Sequence, residues 1–227
     1  NSFTSPFFFD DAPNIVENPL VHDVWALWPL LTGTLRPMAD FTFAVNYALG
    51  GLAPWGYHAV NVAIHTLAAL LLFGITRRTL RTGPARNRYG SAADWLGLGA
   101  ALVWAVHPLQ TQCVDYIVQR AESLMGLFYF CTVYCALRGA AGGRSGAWSA
   151  LAVASCALGM GSKAVIATAP VMVLLYDKVF LAGSFGAALR RRWGMYLGLA
   201  ATWFLLPAFA AGAPSLAEHG AGFGFKG

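Results

Sequence analysis

Between residues 41 and 76 the chain carries no Asp, Glu, Lys or Arg. A water-soluble helix of that length must turn a polar face to solvent, whereas about 20 consecutive apolar residues suffice to cross the hydrocarbon core of a bilayer. Residues 55–76 therefore read as a membrane-spanning helix. Further apolar stretches at 95–107, 121–137, 148–161, 164–177 and 193–211 extend that reading to a bundle. Two of them, 148–161 and 164–177, are short and joined by Gly161-Ser162-Lys163, which predicts a helical hairpin with a tight tip. With 57% hydrophobic and only 11% charged residues, against roughly 25% charged in soluble domains, the chain cannot cover a soluble core. The fold class is all-α, a polytopic membrane helix bundle.

The charges orient it. Arg77, Arg78, Arg81, Arg86 and Arg88 crowd one connection. Arg138 and Arg144 flank the next but one, and Lys178, Arg190, Arg191 and Arg192 flank a third. If the helices alternate in direction, these eleven of the 15 basic residues share one side. The other side holds Arg36, Arg120, Lys163 and Lys226. It also holds eight of the 10 acids: Asp10, Asp11, Glu17, Asp23, Asp40, Asp115, Glu122 and Glu218. The positive-inside rule makes the basic side cytoplasmic and excludes a nucleic-acid role for the net charge. Residues 1–54 then form an extracytoplasmic loop with short interfacial helices, one opening at Pro37 and running to about Gly50. Residues 55–211 form the transmembrane domain, and residues 212–227 an extracytoplasmic tail. The start at Asn1, with no signal peptide, and the Gly-rich end read as cuts within a longer protein. Cys131, Cys135 and Cys156 lie in apolar runs as small hydrophobes, and no paired zinc spacing occurs.

Four polar features stand on the expected outer face: Asp10-Asp11, Arg36-Pro37, the stretch from His107 to Glu122, and Ser162-Lys163. An acidic pair can supply a general base or hold a divalent cation. Arg36, Arg120 and Lys163 can grip a phosphate. Each has a plainer reading. The acids could cap a helix, Arg36 and Lys163 could anchor the headgroup layer, and His107-Pro108 could end a helix. His58, Asn61 and His65 share one helical stripe and read as interhelical hydrogen-bonding groups before metal ligands.

The segments FFFDDAPNIVENP (7–19), RPMADFTFAVNYALGGLAPWGYHAVNVAIH (36–65), HPLQTQCVDYIVQRAESL (107–124) and GMGSKAVIATAPVMVLLYDKVFL (159–181) resemble, in this order, the membrane part of the transmembrane and tetratricopeptide-repeat O-mannosyltransferase-like family. Those are GT-C glycosyltransferases. The resemblance covers roughly residues 7 to 210. It implies a further spanning helix before Asn1 and tetratricopeptide repeats beyond the chain. It places the family's acidic pair on Asp10 and Asp11, its Arg-Pro on Arg36-Pro37 and its His-Pro on His107-Pro108. Its Gln-Arg-x-Glu falls on Gln119, Arg120 and Glu122, and its Ser-Lys on Ser162-Lys163. Gln112 and Ala164 stand where many relatives carry Glu; Gln112 can hydrogen-bond but cannot act as a base.

The implied activity is an inverting protein O-mannosyltransferase in the cytoplasmic (inner) membrane. It would move mannose from a polyprenyl-phosphate donor to a hydroxyl of an exported protein at the periplasmic face, amid membrane lipid. Asp10 and Asp11 would be catalytic, with a divalent cation (Mg or Mn) on that pair if one is used. Arg36, Arg120, Lys163 and His107 would bind the lipid phosphate. Gln112, Glu122, His58 and Asn61 would face the acceptor or support the site. Two other readings fit the same bundle: a flippase for a lipid-linked sugar, and a non-catalytic relative with an assembly role.

Overall fold

The computed structural model describes residues 5–142 and 145–212. Arg144, Glu218, Lys226 and the tail beyond Gly212 lie outside them. Among the described residues, eleven α-helices follow in chain order. The first loop contributes α1 (Leu27–Thr32) and α2 (Pro37–Gly50). The long α3 (Pro54–Leu80) is followed by the short α4 (Arg86–Tyr89), then α5 (Ala93–Ala105) and α6 (Thr111–Asp115). The remainder is α7 (Arg120–Ala140), α8 (Ser145–Met160), α9 (Ala169–Tyr176), α10 (Phe185–Ala201) and α11 (Leu205–Gly212). No strand occurs among the described residues.

Among the described residues, four continuous helical stretches are long and apolar enough to cross a membrane: Pro54–Leu80, Ile117–Ala140, Ala164–Ala182 and Phe185–Gly212. A fifth crossing would be a broken one, in which Arg86–Ala105 meets Pro108–Asp115 at a bend of 54°. The bend has a local cause. His107 precedes a proline and is driven to φ −65°, ψ 132°, off the helical region that the proline ring disfavours for its neighbour. The expected hairpin is present, with α8 and the helix from Ala164 joined at Gly161-Ser162-Lys163.

Apolar side chains cover the outside of these helices. Leu70 is 60% exposed, Val103 66%, Leu197 62% and Phe204 78%. Such a surface aggregates in water and is at rest in lipid. The interior has two parts. One cluster packs α7, α8, α9 and α10 through Ala152, Cys156, Ile166, Val173 and Leu199. The other welds the first loop to α2, α3 and α7 through Ile15, Val21, Phe43, Tyr57 and Ile117. It is this second cluster that carries the polar residues of interest.

The chain alternates direction as the charges require. At one end Thr79 meets Tyr176, with 2.8 Å between their hydroxyls, and the Arg78 guanidinium lies 5.3 Å from the Tyr134 ring centre. The connections carrying Arg77–Arg88, Arg138 and Lys178–Arg192 therefore gather there. At the opposite end the Met38 N–H donates to the Gly161 carbonyl at 2.9 Å, and Asp11 reaches Val118. The two acids at the basic end are both neutralised: Asp94 by Arg77 and Arg81, and Asp177 by Arg192.

Candidate active site at the acidic end of the bundle

Asp10 and Asp11 sit where the first loop meets the start of the Ile117–Ala140 helix. A tight turn sets them up. The Asp11 N–H donates to the Phe8 carbonyl at 3.0 Å, and Phe9 adopts φ +47°, a left-handed conformation that costs a bulky residue energy. The turn points the two neighbours opposite ways. Asp10 is exposed, while Asp11 is 1% exposed.

Asp11 works as a structural pin. One carboxylate oxygen accepts the Phe8 N–H at 2.9 Å and the other accepts the Val118 N–H at 2.8 Å. The second bond satisfies an orphan amide at a helix start and places negative charge at its positive end. Burial pushes the Asp11 carboxyl pKa up, and the two amide bonds and nearby His58 pull it back. Asp10 is held by its backbone, since its N–H donates to the Tyr116 hydroxyl at 3.0 Å and its carbonyl accepts from Asn14 at 2.7 Å. Its carboxylate is exposed and lies beside the same Tyr116 hydroxyl.

Of the remaining polar features, Glu122, Lys163, Gln112 and Arg36 collect around the same helix start, whereas His107 makes only a local contact. Glu122, one turn beyond Val118, forms an ion pair with Lys163 at the hairpin tip. Ser123 donates to the Cys113 carbonyl at 2.6 Å, which brings α6 and the exposed Gln112 alongside. Gly161 packs on Pro37 and accepts from Met38, so Arg36 stands beside the tip. Arg36 is exposed and forms no ion pair among the described residues. His107 is also exposed, with its Nδ1 accepting the Leu109 N–H at 3.2 Å, and so caps the turn after Pro108.

Arg120 is placed differently from the expectation of a phosphate-gripping side chain. It is 0% exposed. Its Nε donates to Asn61 at 2.6 Å, Nη1 to Asn46 at 2.7 Å and to the Thr42 carbonyl at 3.2 Å, and Nη2 to the Tyr57 carbonyl at 2.9 Å. The guanidinium also lies 4.5 Å from the Phe43 ring centre, within cation–π range. With every guanidinium nitrogen engaged and the side chain fully buried, Arg120 ties α2, α3 and α7 together and is closed to an outside anion. Asn61, likewise 0% exposed, serves the same knot and further donates to the carbonyls of Val114 and Ile117. His58 is buried and contacts the Ser5 carbonyl at 3.3 Å, and its Nδ1 has no partner among the described residues.

A divalent cation does not fit the acidic pair. Each Asp11 oxygen already accepts a backbone amide and the side chain is 1% exposed, which leaves Asp10 as the one carboxylate of the pair open to solvent. Among the described residues no group of three or more His, Cys, Asp and Glu could hold a metal.

One residue escaped the sequence reading. Asp40, one turn into α2 from Arg36, has its carboxyl pushed up to about 6 by burial against the opposing pull of Thr34 and Arg36. That value suits proton transfer near neutral pH. Its position four residues past an Arg that precedes a helix-opening Pro was the available signal.

The fold and this polar end define a multi-pass helical membrane protein with one chemically equipped face. Comparison with known proteins narrows that class. The chain is 35% identical over 159 residues to the human protein O-mannosyl-transferase TMTC4, covering 59% of this chain and 21% of that protein. It is 30% identical over 198 residues to Protein O-mannosyl-transferase Tmtc2 of Drosophila melanogaster, covering 78% of this chain and 20% of that protein. A protein O-mannosyl-transferase of Caenorhabditis elegans is 32% identical over 136 residues, 54% of this chain and 19% of its own length. The chain spans about a fifth of the length of these curated relatives. No family model and no solved structure matches. Over the aligned part, the chain is related to the transmembrane and tetratricopeptide-repeat O-mannosyltransferase-like family.

Proposed function

We propose that this chain carries the catalytic face of an inverting GT-C glycosyltransferase. It would transfer mannose from a polyprenyl-phosphate donor to a Ser or Thr hydroxyl of an exported protein, at the extracytoplasmic face of the cytoplasmic membrane. One observation carries the reading: an exposed carboxylate, Asp10, on a turn that a buried neighbour pins to the start of a spanning helix. Holding a catalytic group on such a support is what positions it for reaction.

In this mechanism Asp10 accepts the hydroxyl proton as the acceptor oxygen forms a bond to the anomeric carbon from the side opposite the phosphate. The bond from that carbon to the phosphate oxygen breaks, and its electron pair leaves with the lipid phosphate. Base catalysis of this kind contributes about 10²–10⁴-fold. Arg36, with Lys163 at the adjoining hairpin tip, would stabilise the charge growing on the leaving phosphate. Arg120 acts at one remove by fixing that helix. The donor's tail would lie along the lipid-facing apolar surface. No step needs a metal.

The test is transfer from polyprenyl-phosphate mannose to a Ser/Thr-rich peptide pool by the full-length protein in detergent. Asp10→Asn is expected to lose at least about 100-fold in rate with an unchanged melting temperature, because its side chain is exposed. Asp11→Asn is expected to lower the melting temperature, because an acceptor that two backbone amides need is replaced. Equal transfer by Asp10→Asn and the parent would remove Asp10 from the mechanism.

A further inference from the structure

A groove of about 560 Å³ opens at the basic end of the bundle, between α3 and α7. Its floor is apolar, formed by Leu67, Leu70, Leu71 and Phe73 with Leu127 and Tyr134. Gly74 keeps it flat, since a Cβ there would lie 2.8 Å from the Tyr134 ring. Leu67 is 51% and Leu70 60% exposed, so the floor faces the bilayer. The mouth is lined by Arg77, Arg78 and Arg81. Arg77 and Arg81 share the single carboxylate of Asp94, and Arg78 lies over Tyr134. Three guanidiniums against one carboxylate leave net positive charge at the end of the apolar floor. Arg81 also borders a second recess of about 460 Å³, lined by Arg86, Gly90 and Ser91.

We propose that this groove binds one anionic diacyl phospholipid of the surrounding leaflet, with its phosphate on the arginines and an acyl chain along the leucine floor. Charge selects the occupant. An anionic headgroup is attracted by the uncompensated guanidiniums, which present planar donors matched to phosphate. A zwitterionic headgroup brings a cation of its own against them. Position separates this lipid from the proposed donor. His58, next to Asp11, and Arg77 are 19 residues apart on one helix, about 28 Å at 1.5 Å per residue. A phosphate held here is therefore not the one that would react at Asp10. The bound lipid would brace the ends of α3, α5 and α7 against one another.

The experiment is native mass spectrometry of the full-length protein in mild detergent, with equal amounts of phosphatidylglycerol and phosphatidylcholine. The parent is expected to retain one phosphatidylglycerol with at least a tenfold preference. Arg78→Gln with Arg81→Gln should bring that preference close to one. Arg190→Gln with Arg191→Gln, an equal loss of charge at exposed positions elsewhere on the basic end, should leave it intact. Leu70→Trp, on the lipid-facing floor where folding is not at stake, should weaken retention with every arginine present. No preference in the parent, or an equal loss in the Arg190/Arg191 control, would overturn the site. Displacement of phosphatidylglycerol by an equal amount of polyprenyl phosphate would overturn its assignment to a phospholipid.

Discussion

Arg120 and Asp40 show how far a residue's role depends on what the fold packs around it. From the sequence, Arg120 is a cation near the outer end of an apolar helix, beside Glu122, and reads as a phosphate ligand. Its burial follows from α2 and α3 lying side by side, which no local pattern states. A signal was nevertheless present: Asn46, Asn61 and Arg120 are polar residues in or bordering charge-free segments, and such groups must satisfy one another. Arg120→Leu strands the acceptors on Asn46, Asn61, Thr42 and Tyr57 and is expected to cost at least about 3 kcal/mol, seen as a lower melting temperature or loss of folded protein. Arg120→Lys keeps the charge without the planar fork and should recover only part of that. Asp40 yields a pH prediction. Its carboxyl is raised from 3.8 to about 6 in the folded state, so the native chain holds the proton more tightly than the unfolded one. The resulting stability is fully present below about pH 3.8 and lost as pH rises through about 6. Asp40→Asn should therefore match the parent in stability near pH 4 and exceed it by about 1–3 kcal/mol at pH 7.5. A parent melting temperature that stays flat between those pH values would refute the linkage.

The elements themselves were largely legible, because apolar length and proline positions are local properties. The helix expected to open at Pro37 runs over Pro37–Gly50, and the hairpin turns at Gly161-Ser162-Lys163. The stretch expected to span at 95–107 is instead a helix of 13 residues, Ala93–Ala105, that bends into the segment after Pro108. What the sequence could not display is how closely helices approach one another. Gly97 of α5 rests on the backbone of α3, where an added Cβ would sit 3.3 Å from the Phe73 carbonyl oxygen and 3.4 Å from the Arg77 nitrogen. Backbone atoms cannot rotate away as a side-chain tip can. Gly97→Leu should therefore push α5 off α3 and loosen the clamp of Asp94 on Arg77 and Arg81, at a cost of about 1–3 kcal/mol. Thermal unfolding in detergent reads that cost. Gly99→Leu, where an added Cβ meets nothing within 4 Å, is the control and should be close to neutral.

At the scale of the whole molecule the two ends differ in kind, and that difference makes the topology testable. The candidate site was legible only as a set of residues on one side. Their assembly around the start of the Ile117–Ala140 helix required contacts over more than a hundred positions, as between Asp11 and Val118. The sidedness rests on a simpler asymmetry. Arginine-rich connections are retained in the cytoplasm during insertion, and acids exert little opposing effect. The bundle has most of its arginines at one end, with Asp94 and Asp177 both locked in ion pairs there. The opposite end displays Asp10, Glu17 and Asp23. Single cysteines at two exposed positions, Glu17→Cys and Arg88→Cys, in a background without the native cysteines, separate the possible arrangements in whole cells. A membrane-impermeant maleimide should label Glu17→Cys in intact cells and Arg88→Cys only after permeabilisation. The reverse pattern would put Asp10 in the cytoplasm and end the case for acceptors among exported proteins, while leaving the bundle untouched. Labelling of both in intact cells would mean that an odd number of crossings does not separate residues 17 and 88, and the reading of Pro54–Leu80 as a full span would fall with it.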